Sequence, residues 1–232
     1  MKEKKTLLEK IGDIISLAGN AILLNLLFLV SCLPIVTIGQ AWCALMSAVR
    51  YQIRGEKWFT GYKVGFKTRF WRGTIAWTAL LVVNVHMLLD LHYAYAEEYL
   101  VPLIASALIF FLVAMFTTAL LVLNVYIPTS VGNWINNAAT MVFKAPLQLL
   151  GAAALFWLPV LLALLWFEIF YYALMIIIAV YFVVEALGIT MLLKDTLLQY
   201  LLSARADGTL LSEEGKQRED NGDEDEEEDE EA

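Results

Sequence analysis

Uncharged stretches of unequal length, divided by short polar corners, set the expected elements of this chain. Residues 14–49 carry no charge. One helical crossing of a bilayer takes about 20 apolar residues, so this stretch is too long for one helix and barely enough for two. The break falls in the run Leu33, Pro34, Ile35, Val36, Thr37, Ile38, Gly39, because proline removes a helical donor and glycine favours a helix end. The pattern predicts a first span over residues 11–36. Residues 40–54 then place Trp42, Leu45, Met46, Val49 and Ile53 at helical spacing.

Residues 73–89 predict a second span, closed by Asp90 and His92. Residues 99–143 are again uncharged and again too long, with a break at Pro128 and Gly132; residues 133–143 are too short and too polar to cross. Residues 145–167 and 169–193, parted by Glu168, predict a fourth and a fifth span, and residues 194–206 a helical extension. The expected fold class is all-α: a polytopic transmembrane helix bundle of about five spans, with Pro/Gly-broken helices and interfacial helices. Residues 1–206 form the membrane domain, and residues 207–232 a tail.

The two breaks resemble each other. Pro34, Gly39, Gln40 and Trp42 sit beside Pro128, Gly132, Asn133 and Trp134, and each following segment ends in Phe-Lys before another span. A repeat of span, break, interfacial helix and span is common in transport proteins. Two helix ends marked independently by Pro and Gly would look the same.

Composition sharpens this picture. Hydrophobic residues make up 60% and charged residues 17%, and the mean hydropathy is +0.66, which excludes an ordinary soluble domain. The formal net charge of −8 misleads, because 13 of the 24 acids lie within residues 213–231. That tail is too charged to bury a core, so disorder is expected. The remaining body is mildly positive, as suits a protein on an anionic leaflet. Cys32 and Cys43 are the two cysteines, too few for a disulfide framework and read as small buried hydrophobes.

Residues 50–72 are the most basic part of the body: Arg50, Arg54, Lys57, Lys63, Lys67, Arg69 and Arg72 stand among Trp58, Phe59, Tyr62, Phe66, Phe70 and Trp71. Between two spans, this mixture reads as an interfacial segment whose rings sit at headgroup level and whose cations meet lipid phosphate, rather than as a nucleic-acid surface. The positive-inside rule puts it in the cytoplasm, with the C-terminus on the same side. If residues 40–54 lie on the membrane surface there are five spans and an outer N-terminus; if they cross there are six and an inner one. The five-span arrangement is adopted, with six left open.

The run from Asn25 through Leu33-Pro34-Ile35-Val36-Thr37-Ile38-Gly39, then Ala44-Leu45, Arg54-Gly55-Glu56 and Phe66-Lys67, resembles the YesL family of small bacterial integral membrane proteins. The resemblance is strongest over residues 20–77; Gln40 stands where members often carry Pro. It implies an accessory role in carbohydrate uptake or its sensing, beside a carbohydrate ABC importer or a membrane sensor in the cell membrane. It supplies no activity and no catalytic residue.

Candidate chemistry is sparse. Glu185 lies inside the fifth apolar stretch, where an ionisable group costs about 2.5 kcal/mol or more and usually faces the bundle interior or a cavity. It reads either as a proton, cation or substrate contact or as a carboxylate reaching the inner interface. Asn20, Asn25, Asn84 and Asn124 line the spans as helix-to-helix hydrogen-bonding groups or ligand contacts. His86 and Asp90 at i and i+4 make a weak metal pair. No nucleophile, phosphate-loop or cofactor motif is present, so neither an enzyme nor a cofactor is expected. The leading function is a non-catalytic accessory protein, and the rival is a small transporter or channel with a polar path near Glu185.

Overall fold

The computed structural model describes residues 7–206; the acidic tail over residues 207–232 and the head lysines Lys2, Lys4 and Lys5 lie outside the described residues. Nine α-helices follow in order among them: α1 (Leu7–Ser31), α2 (Ile38–Ile53), α3 (Trp58–Lys67), α4 (Phe70–Ala96), α5 (Leu100–Tyr126), α6 (Val131–Lys144), α7 (Pro146–Leu165), α8 (Phe167–Ile176) and α9 (Phe182–Ala206). A 3-10 turn, Ile35–Thr37, precedes α2, and a π-helical segment, Ile177–Tyr181, joins α8 to α9. No strand occurs among the described residues. The protein is an all-α bundle.

Four stretches are long and apolar enough to cross a bilayer: Phe70–Ala96, Leu100–Tyr126, Pro146–Ala163 and Phe167–Ser203. The expected fifth is represented by the shorter apolar stretch Ala18–Ser31. Its helix stops at Ser31 rather than Val36, because Thr37 turns its hydroxyl onto the Ser31 and Pro34 carbonyls, each at 2.7 Å, and closes the turn early. Large apolar side chains such as Val82, Leu108 and Met175 remain exposed on the long helices, the arrangement expected where lipid is the solvent.

Residues 40–54 were expected to lie on the surface or to cross, and α2 is an internal helix of the bundle. It has 16 residues, about 24 Å at 1.5 Å per residue, short of a hydrocarbon core of about 30 Å. Every residue from Gly39 to Val49 is buried, and α1, α3, α4, α5 and α9 all pack against it. The reason lies in its composition: apolar and small side chains surround the helix on all sides, the pattern of an internal helix.

Small residues let α3 close over α2 as a hairpin. A Cβ added at Gly65 would come within 2.9 Å of the Ala44 Cα, and one added at Gly61 would meet the Tyr51 ring. Gly39 makes room for the Trp77 side chain in the same way. Later in the chain, Pro159 sits inside α7, where its missing N–H leaves the carbonyl four residues earlier without a helical partner. Tyr181 donates its hydroxyl to that carbonyl, on Leu155, at 2.6 Å.

The expected repeat is loose in three dimensions. The first break leads into buried α2 and then α3, whereas the second leads into α6, which buries Trp134, Ala138, Met141 and Val142 and leaves the rest of its surface more open.

Gly65→Ala is expected to lower stability by about 1–3 kcal/mol, the usual cost of overpacking against backbone. Gly132→Ala, where a Cβ meets nothing within 4 Å, is expected to be neutral or mildly stabilising. Thermal unfolding of the purified variants in one detergent compares them.

Candidate functional site

Glu185 lies near the start of α9, on the turn after the π-helical segment, and is 2% exposed. The Trp42 indole N–H donates to its Oε1 at 2.9 Å. Its Oε2 accepts no hydrogen bond from the described residues. The carboxyl is thus held inside the bundle, with one of its two oxygens unbonded among the described residues. An ionised carboxylate in that position carries a desolvation cost that a cationic or hydrogen-bond-donating ligand would offset.

Beside it lies a cavity of about 300 Å³ whose walls include Phe28, Trp42, Trp77, Phe156, Trp157 and Phe182 together with Glu185. The rings are locked against one another. Trp42 meets Phe156 edge-on at 5.2 Å, and Trp77 stacks on Trp157 at 6.3 Å. Phe28 packs on Phe182 at 4.7 Å. The Trp157 indole nitrogen is also buried without a partner. An apolar, ring-walled cavity with one acid and one spare donor resembles a small-molecule site in composition, and aromatic faces favour cations.

Asn25 positions this region. Its Nδ2 donates to the Ile177 and Ile178 carbonyls at 3.1 and 2.6 Å, and its Oδ1 accepts from the Phe182 amide at 3.1 Å. Those are backbone groups that the π-helical segment takes out of the regular ladder. Asn84 donates to Thr117 at 3.0 Å and so joins α4 to α5. Asn124 donates to the Cys43 sulfur at 3.7 Å. Asn20 is half-buried and makes no side-chain hydrogen bond among the described residues.

The other candidate groups fall at one end of the bundle. Leu33 is exposed, Thr37 closes the first break, and the Ile35 carbonyl in that break accepts from the Trp77 indole at 3.1 Å. The second break runs from Ile127 through Pro128 to Ser130, with extended backbone at Ile127 and Ser130, then Gly132 in the first turn of α6. Three arginines turn toward it instead of outward. Arg69, in the left-handed region at φ 53°, donates to the Asn124 and Ile127 carbonyls at 3.2 and 3.3 Å. Arg72 donates to the Thr129 carbonyl at 2.6 Å and lies 4.1 Å from the Trp134 ring centroid. Arg50 reaches the Val125 carbonyl at 3.5 Å. Positive groups at the carboxyl end of α5 complement its dipole. Arg54, Lys57, Lys63 and Lys67 are exposed, the placement that headgroup contact requires.

Sequence reasoning missed Gln40, Trp42 and Trp157. Gln40 donates through Nε2 to the carbonyls of Gly65, Phe66 and Thr68 at 2.8–3.1 Å, capping the end of α3. The signal available for it was a polar residue in the middle of an apolar run. Trp42 carried no such signal, because a tryptophan at helical spacing reads as core. His86 and Asp90 form an exposed pair at 3.6 Å on α4.

Residues 21–91 match the family described as "Protein of unknown function, DUF624". The match takes in the C-terminal part of α1, the first break, α2, α3 and most of α4, hence Asn25, Gln40, Trp42 and Trp77, but not Glu185 or the end of α5. No curated protein and no solved structure matches the chain. Together with the apolar helices, the match over this part of the chain fits a membrane protein of unknown function.

Trp42→Phe removes the donor to a buried carboxyl and is expected to cost about 1–3 kcal/mol in the wild-type background. In a Glu185→Leu background the same substitution is expected to cost less by about 1 kcal/mol or more, since the partner is gone. A double-mutant cycle of thermal unfolding in detergent measures this coupling.

Proposed function

We propose that this chain is a non-catalytic accessory protein of the cell membrane that binds a small ligand inside its helix bundle at Glu185 and acts through a partner. The observation that carries this reading is the wall formed by α2. Ile38 and Trp42 line the aromatic cavity, whereas Cys43, Ser47 and Arg50 line a second cavity at the basic end. Trp42 and Cys43 are each 1% exposed. A solute moving from one cavity to the other has to displace a helix held by Gln40, Trp42 and Arg50. A site walled off from the other cavity in this way suits binding and response better than unassisted passage.

The absence of catalysis in this proposal rests on the company Glu185 keeps. Its bonded partner is an indole, which neither releases nor takes up a proton in ordinary acid-base chemistry. The partner class we propose is a carbohydrate ABC importer or a membrane sensor, on the strength of the resemblance carried by the Leu33 to Gly39 run. In this reading the basic end faces the cytoplasm, with the C-terminus beside it, by the positive-inside rule. The rival reading, a small transporter, is favoured by one feature: π-helical segments recur at functional sites, and this one adjoins Glu185.

Affinity purification of the tagged full-length chain from mild-detergent membranes, with mass spectrometry, tests the proposal. Stoichiometric recovery of a solute-importer permease or a sensor protein is the expected result. Recovery of the chain alone from several detergents contradicts it. Substrate flux into vesicles holding only this chain, abolished by Glu185→Gln, would establish the transporter instead.

A further inference from the structure

We propose that the cavity at the basic end of the bundle, between α2, α3, the α3–α4 turn, the end of α5 and α9, is a binding site for a phosphate group, gripped by Arg50 and Arg54. The cavity measures about 270 Å³. Three of its lining residues are arginines, Arg50, Arg54 and Arg69, and none is Asp or Glu. Ser47, Tyr51 and Thr68 add hydroxyl groups. Such a volume lies near the low end for small-molecule sites. It has room for a headgroup or a small phosphate ester and excludes a polymer.

Capping of α5 accounts for part of this charge and leaves the rest unexplained. Arg69 is engaged with two carbonyls at that helix end. Arg50 makes one long contact there, at 3.5 Å, and lies 5.4 Å from the Tyr126 ring centroid. A guanidinium has five donors, so most of those on Arg50 are uncommitted. The Arg54 side chain makes no hydrogen bond or ion pair among the described residues. The two side chains stand at i and i+4, one in the last turn of α2 and the other at its C-cap, where like charges repel.

Burial, and then the charge of Arg54, push the Arg50 guanidinium below its ordinary range; the opposing influence of Glu56, in the α2–α3 turn, is weaker. Two arginines brought together in a partly enclosed, acid-free cavity form a charge arrangement that an oxyanion completes. Guanidinium forks match phosphate oxygens two at a time. The exposed Lys57, Lys63 and Lys67 nearby raise the local concentration of anions. A phosphate on a lipid headgroup and one on a soluble ester share this chemistry.

The test uses full-length protein in phosphatidylcholine nanodiscs, with two probes: phosphatidylglycerol added to the bilayer, and glycerol phosphate added to the buffer. Binding is read by native mass spectrometry and by the shift in unfolding temperature that a ligand of the native state produces. At least one probe is expected to bind, and Arg54→Gln to weaken it by at least about tenfold, as loss of charged hydrogen bonds implies. Arg54 is exposed and unbonded, so this variant folds. Arg50→Lys, which keeps the charge and loses the fork, is expected to weaken binding as well. Lys63→Gln, an equal loss of surface charge beyond the cavity, is expected to change it by no more than about twofold. Binding of phosphatidylglycerol alone identifies a lipid as the source, and binding of glycerol phosphate a soluble ester. Failure of both probes, or equal weakening by Lys63→Gln and Arg54→Gln, overturns the proposal.

Discussion

In a bilayer interior, a backbone N–H or C=O freed from its helix has no water to turn to, and a nearby side chain must take it up. This chain breaks its helices several times, and at four of these irregularities polar side chains meet the freed groups. Asn25 serves the π-helical segment, Gln40 the end of α3, and Tyr181 the carbonyl that Pro159 releases. Arg69 and Arg72 serve the second break. Most of the long-range hydrogen bonds therefore run from side chain to backbone. They hold short and irregular elements such as α2 in place without a continuous hydrophobic helix to anchor them.

Against that rule, the Trp42–Glu185 bond stands out. It joins two side chains, it leaves one carboxylate oxygen unpaired, and it lies beside a cavity walled by aromatic rings. The requirement to pair backbone groups does not account for an acid there, and glutamine would satisfy the same indole. The positioning of α2 between this cavity and the arginine-lined one links the two ends of the account. Trp42 and Cys43, neighbours in the chain, each line one of the two cavities.

The all-α bundle and both helix breaks were legible in the sequence, since charge-free stretches and Pro/Gly pairs report directly on helix length. The bonding roles of Asn25 and Asn84 followed the general behaviour of amides in spans. The direction of Arg50, Arg69 and Arg72 was not legible: basic residues among aromatics look the same whether they meet lipid phosphate or a helix end, and only the position of α5 decides. The burial of α2 had a signal in its small and apolar residues on every face. That signal competes with an equally apolar crossing helix until length is set against membrane thickness. The π-helical segment left no mark at all, because Ile177–Tyr181 has the composition of an ordinary span.

The most direct test of this account is cysteine accessibility along α2. In full-length protein with Cys32 and Cys43 replaced by serine or alanine, Ala41→Cys, Ala44→Cys, Met46→Cys and Val49→Cys, which point to different sides of the helix, would each be exposed to a membrane-permeant maleimide in native membranes, with Arg54→Cys as the accessible reference. An internal helix predicts that all four resist labelling until the protein is denatured, while Arg54→Cys reacts at once. Labelling that rises and falls with helical period along these positions would make α2 a surface or water-lined helix, and would contradict its role as the wall between the two cavities.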